Sequence, residues 1–166
     1  GKLVKINSTS FHAVDAQLSK KWTTILNHLN IKDKDIDAAI SHLPASIIVS
    51  EALFSKHIDD VNLLRSAKSL DYNTILSRLC GVTLFDICVQ ISQKWEMSDR
   101  IEPIIQASSG VMPSKDKEVD KLGKWMHLLL FYELSKAQFV DAGLNDFIDF
   151  QVEYVCDIYE EFAKVM

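Results

Sequence analysis

The stretch SFHAVDAQLSKKWTTILNHL, residues 10–29, decides the fold class. Its apolar residues Phe11, Val14, Leu18, Trp22, Ile25, Leu26 and Leu29 recur mostly three and four apart. At about 3.6 residues per turn, that spacing gathers them on one face of a helix. Ser10 suits the N-cap, where a hydroxyl can accept from an orphan amide, and the polar run 30–34 ends the segment.

The same period continues outward. Asp35 to Leu43 reads as a short helix with Ile36, Ala39, Ile40 and Leu43 inward. Pro44 lacks an amide donor and belongs in the first turn of the next helix, which runs to about Lys56. The run SIIVS, 46–50, is β-branched, but no turn or partner strand accompanies it. His57 to Leu70 and Tyr72 to Leu79 follow as helices, the second closed by Gly81 in the manner of a C-cap. Thr83 with Asp86 three residues on forms a capping box that opens a helix to Trp95. Ser98 is read as capping a helix to Ala107, with Pro103 in its first turns. SSGVMPS, 108–114, is the clearest loop. Glu118 to Lys136, Leu144 to Phe150 and Val152 to Val165 complete the chain. The expectation is an all-α, compact single-domain bundle of about nine helices over residues 1–166, without internal repeats.

Composition agrees. Five Gly and three Pro in 166 residues are less than half of the average usage of about 12%. An apolar share of 48% with net charge −5 excludes disorder. Eighteen Lys and Arg against 23 Asp and Glu, with no basic run, argue against a nucleic-acid partner. Cys80, Cys88 and Cys156 are odd in number and form no C-x-x-C pair, so each reads as a buried thiol in a reduced, cytoplasmic protein. The longest uninterrupted apolar run, Leu128 to Tyr132, has five residues. No stretch is read as approaching the ~18 of a membrane span, and no membrane contact is expected. No signal peptide is visible. Gly1 opens the chain either as an added residue or as the start of a piece of a longer protein.

LFDICVQISQKWEMSDRIEPIIQASS, 84–109, resembles a stretch of the HDOD family, the HD-related output domain of bacterial signalling proteins. Trp95 falls at the family's Trp, Asp86 at its acidic position, Leu84 at a His and Ser108–Ser109 at a His–His pair. AAISHLPASIIVSEAL, 38–53, is similar to the family's AGLLHDIGKLVLAxxL, with His42 kept and Leu43 at the Asp. FHAVDAQL supplies His12 thirty residues earlier, and WMHLLLFYEL keeps His127 with Leu130 at the family's final Asp. The resemblance covers nearly the whole chain and implies an HD-domain-like fold. The N-terminal helical half of the family domain is absent from this sequence.

The resemblance also implies what chemistry to ask about. HD-type phosphohydrolases hold divalent metal with a His, a His–Asp pair and a later Asp. The metal acidifies water and clamps a phosphoryl oxygen. Here His12 and His42 remain of that ligand set, and Leu43 and Leu130 stand at both carboxylate positions. Hydrocarbon supplies no ligand. The expectation is therefore no enzyme, no cofactor and no metal, with His12, His42, Leu43 and Leu130 as vestigial ligand positions. Both leucines should point inward close to the two histidines, which should be buried or half-buried and hydrogen-bonded. The alternative is a metal-dependent phosphohydrolase of nucleotides or cyclic dinucleotides in which Asp15, one turn from His12, joins the ligand set. The implied function is a regulatory output module acting on a protein partner, such as a receiver or cyclic-di-GMP signalling domain; a homodimer is compatible with it. Trp22, Trp95 and Trp125 are read as core residues. His28 and His57 are read as surface, His127 as core-edge, and the acidic residues of EYVCDIYEEF, 153–162, as a solvated face.

Overall fold

The computed structural model of the chain describes residues 8–67, 70, 72–96, 99–111, 113–141 and 149–166. Among them run α1 (Ser8–His28), α2 (Lys34–Ala38), a 3₁₀ turn (Ala39–Ser41), α3 (His42–Ser55), α4 (Ile58–Ala67), α5 (Tyr72–Cys80) and α6 (Leu84–Lys94). Then follow α7 (Ile101–Ala107), α8 (Lys117–Leu134), α9 (Ala137–Asp141), α10 (Val152–Val155), a 3₁₀ turn (Cys156–Ile158) and α11 (Tyr159–Val165). No strand occurs among the described residues, and the architecture is all-α.

Local chemistry accounts for the helix ends. The capping box is complete at α6: Thr83 accepts from the Asp86 amide at 3.1 Å, and Asp86 accepts from the Thr83 amide at 2.8 Å. Gly81 ends α5 at φ +71, where a Cβ would be strained. Asp33 caps α2 and Asp116 caps α8, each carboxylate accepting from two amides of the first turn. Pro44 sits in the first turn of α3, where its missing donor costs no bond. α1 already includes Ser8, so Ser10 is not its N-cap. The expected cap Ser98 and most of the expected helix 144–150 lie outside the described residues. Phe150, which is described, is not helical. The terminal helix is broken by the 3₁₀ turn into α10 and α11.

α8 is the axis of the core. From Leu122 to Leu134 it buries Trp125, Met126, Leu128, Leu129 and Leu130 together with Gly123, His127 and Glu133. A helix buried over most of its circumference needs neighbours on most sides, and α1, α7 and α10 supply them. Glu133 is fully buried, held by Lys21 of α1 at 2.7 Å and Lys136 at 3.1 Å. Trp22 of α1 donates its indole N–H to the Ile36 carbonyl at 2.8 Å, tying α2 to the same core.

The second large seam joins α3 to α6. Ser46 and Ser50 of α3, and Cys88 and Ser92 of α6, are all buried. Each pair stands four residues apart, so each presents one narrow ridge. Small side chains let the two helices approach closely. The hydroxyls of Ser46 and Ser50 donate back to the carbonyls of Leu43 and Ile47, both at 2.7 Å.

The helical stretch Lys34–Ser55 has a mean hydropathy of 1.3 over an 18-residue window. By length and composition it would pass as a membrane span, which corrects the reading taken from uninterrupted runs. Half of that window is buried inside the fold, as in a core helix.

α7 and α8 touch at Gly123. A Cβ built there would stand 2.6 Å from the Ala107 Cβ, 2.8 Å from the Tyr154 hydroxyl and 3.0 Å from the Ala107 carbonyl carbon. On an open helix, Gly→Ala gains about 1 kcal/mol. Overpacking against backbone costs about 1–3 kcal/mol and wins here. Gly123→Ala is therefore expected to lower stability by up to about 2 kcal/mol in urea unfolding, where propensity alone would raise it.

Candidate functional site

The positions singled out by the sequence converge where α3, α6, α7 and α8 meet. His42, Leu43, Cys88, Ser108, Met126 and Leu130 line a void of about 10 Å³. That is close to the smallest space that holds one water, about 10–15 Å³. Leu43 and Leu130 are buried, as expected, and share this void with His42. His12 does not join them: its side chain is exposed on α1 and does not line the void. Asp15 is half-buried on the same helix and does not line it either. Three of the four vestigial positions are together and the fourth is apart. Among the described residues, no group of three His, Cys, Asp or Glu side chains converges to hold a metal ion.

His42 is 1% exposed, and neither ring nitrogen has a hydrogen-bond partner. This corrects the expectation of a hydrogen-bonded ring. The carbonyls of Ala39 and Ala38 lie near enough to favour the protonated form, but neither completes a hydrogen bond. Burial outweighs them and holds the ring below the usual histidine range. Trp95 meets the ring edge-on at 5.1 Å. Trp95 is nonetheless 53% exposed, so it covers His42 from outside and is not the core residue its spacing suggested. As the residue that ends α6, it lies where the helix leaves the core.

Cys88 donates its thiol to the His42 carbonyl at 3.6 Å. Its complete burial pushes the thiol pKa up to about 12. A thiol so protonated is no nucleophile near neutral pH. The other cysteines differ: Cys80 is half-buried and Cys156 is exposed, which corrects the view of three buried thiols.

The remaining histidines divide. His57 is exposed. His28 is partly exposed, pairs with Glu161 at 2.7 Å and tilts against Trp125. His127 is fully buried and not at the core's edge. Glu153, Asp157, Glu160 and Glu161 are all exposed, and Asp157 pairs with Lys124 at 3.0 Å.

One feature was not anticipated. Ile48, Val49 and Ala52 of α3 are exposed, with Ala45 half-buried beside them, at helical spacing. Ile58 and Leu63 of α4 are exposed as well. Part of the signal was present: α3 carries apolar residues on its outer as well as its inner side, with the half-buried Glu51 beside Ile48. No family model, curated protein or solved structure matches this chain.

The unpartnered imidazole of His42 carries a pH dependence. Above the usual histidine range, near 6.5, folded and unfolded rings are both neutral. Below it, the unfolded ring takes a proton that the buried ring resists, so stability falls as pH drops from about 6.5 toward the lower folded value. His42→Leu keeps the volume and removes two unsatisfied nitrogens. It is expected to raise stability by about 1 kcal/mol at neutral pH and to flatten the fall below pH about 6.5. Thermal unfolding over a pH series measures both.

Proposed function

We propose that this chain is a non-catalytic regulatory module of bacterial signal transduction, working in the cytoplasm through protein–protein contacts. The resemblance to HDOD output domains suggests the class. The observation that carries the reading is the packing of Leu43 and Leu130 with His42 around a void of about 10 Å³. Hydrolysis of a phosphoester by HD-type chemistry needs a cation with anionic ligands and room for a water and a phosphoryl oxygen. At the corresponding positions this chain offers two leucines and two imidazoles, of which only His42 lies beside the leucines. A divalent ion there would shed its hydration with little in return.

The contact surface that fits this reading is the outer stripe of α3. Ile48 and Val49 are 45% and 40% exposed, with the half-buried Glu51 beside Ile48. Contiguous apolar residues on a surface mark contact sites more often than singly scattered ones do. The partners to examine first are receiver domains and cyclic-di-GMP signalling domains.

Two measurements test the proposal. Purified chain with Mg²⁺ or Mn²⁺ is expected to turn over no cyclic dinucleotide, nucleotide or generic phosphodiester above a blank. Turnover that disappears in His42→Ala or His12→Ala would instead establish the metal-dependent phosphohydrolase. Titration of a panel of receiver and cyclic-di-GMP domains is expected to find a partner whose affinity falls at least about 10-fold in Ile48→Lys, the loss that ~1.4 kcal/mol represents. Binding unchanged by that substitution would remove α3 from the interface.

A further inference from the structure

The second buried imidazole, His127 of α8, is bonded at both nitrogens. Gln151 donates its backbone N–H to Nε2 at 3.0 Å, so Nε2 carries the lone pair. The proton is therefore on Nδ1, which donates to the Ser108 carbonyl at 2.8 Å. Ser108 ends α7 and Gln151 is the N-cap of α10. One neutral ring thus joins the end of α7 to the head of the C-terminal segment.

The surroundings fit only that arrangement. Phe150 lies parallel to the ring at 5.8 Å and stacks on Phe131 of α8 at 3.8 Å. Gly110, at φ +76, brings its backbone against the seam. A Cβ there would meet Gln151 Cγ at 2.7 Å and His127 Cε1 at 3.3 Å. Among the described residues, the ionisable groups facing the ring are few. Asp149 and Tyr154 come from the C-terminal segment, and Asp149 favours a charged ring. On α8 itself, Asp120 accepts from the Tyr154 hydroxyl at 3.1 Å, and Lys124 lies over the Tyr154 ring at 5.6 Å. The loop Ser108–Val111 brings a carbonyl and no ionisable side chain. Burial prevails over Asp149 and holds His127 below the usual histidine range.

We propose that His127 is an acid-released latch: neutral, it fastens residues 149–151 to α8 and to the end of α7, and protonated at Nε2 it lets them go. A proton on Nε2 turns the acceptor into a donor facing the Gln151 N–H. That bond is lost, and a charged ring is left with little solvation. Opening the seam takes Phe150 off Phe131 while Val155 and Phe162 farther along stay buried in the core. The sign follows from the neutral form being the bonded one. The seam is closed above the usual histidine range, near pH 6.5, and opens as pH falls below it.

Amide hydrogen exchange on the whole chain, corrected for intrinsic rates, reads the latch at the Gln151 N–H. Between pH about 7.5 and about 5, protection of that amide is expected to fall at least about 10-fold, while amides of α3 and α6 change less. His127→Gln keeps a donor for Ser108 and an acceptor for Gln151 but cannot titrate, and its Gln151 protection should not depend on pH. Ring ¹⁵N shifts of the unsubstituted protein should report the Nδ1–H form at neutral pH, and need no variant. The opposite tautomer would overturn the proposal. So would an equal loss of protection in His127→Gln, or a simultaneous loss throughout α3 and α6, which would mark global unfolding.

Discussion

From Leu122 to Leu134, α8 leaves little but the flank of Lys124, Phe131 and Tyr132 to water. Every residue of that stretch except the half-buried Lys124 and Phe131 and the exposed Tyr132 is buried, so the other elements are arranged to cover it. α1 lies along one side, α7 crosses at Gly123, and the C-terminal segment closes another. The constraint reaches the one carboxylate drawn inside among the described residues. Glu133 is buried because α1 and α9 flank α8 there, and it is tolerated because Lys21 and Lys136 both reach it. An unpaired buried carboxylate would cost several kcal/mol. Lys21 and Lys136 also lie over the Tyr132 ring, at 4.9 and 5.4 Å.

The same axis explains why two buried histidines behave differently. His42 begins α3 beneath Trp95, close to leucines and a thiol, and completes no hydrogen bond although the Ala38 and Ala39 carbonyls lie near. His127 lies one turn of α8 before Leu130 and meets a carbonyl on one side and an amide on the other. Both rings are favoured neutral by burial. In His42 the neutral state is an unmet hydrogen-bonding capacity at the centre of a hydrocarbon hub. In His127 it is a joint between two segments. The proposed functional reading rests on the first, and the acid latch stands independently on the second.

Most of the helical architecture was legible because periodicity and capping are local. Thr83 with Asp86, Gly81 and Pro44 each act within one turn of themselves. The inward leucines were legible too, Leu43 from its helical spacing with Ile36, Ala39 and Ile40, and Leu130 from the position the resemblance gives it. What failed was long-range. Trp95 lies on an apolar face but at the helix end, where only tertiary packing decides exposure. His12 shares its helix with Val14 and Leu18 but points away from the face they bury. The Gln151–His127 bond spans 24 residues with no motif to mark it. The exposed stripe of α3 was not legible, because tertiary packing decides which apolar side of a helix is covered.

On the proposed reading, the hub around His42 is walled by Leu43 and Leu130 and takes no divalent ion. Methyl-detected NMR with Mn²⁺ tests it at the site itself, because the paramagnetic ion broadens nearby signals. The account predicts that Leu43 and Leu130 methyl signals and the His42 ring stay sharp at millimolar Mn²⁺, with broadening confined to exposed carboxylates such as Glu153 and Glu160. Selective broadening of Leu43, Leu130 and His42 at lower Mn²⁺ than those surface groups would contradict it.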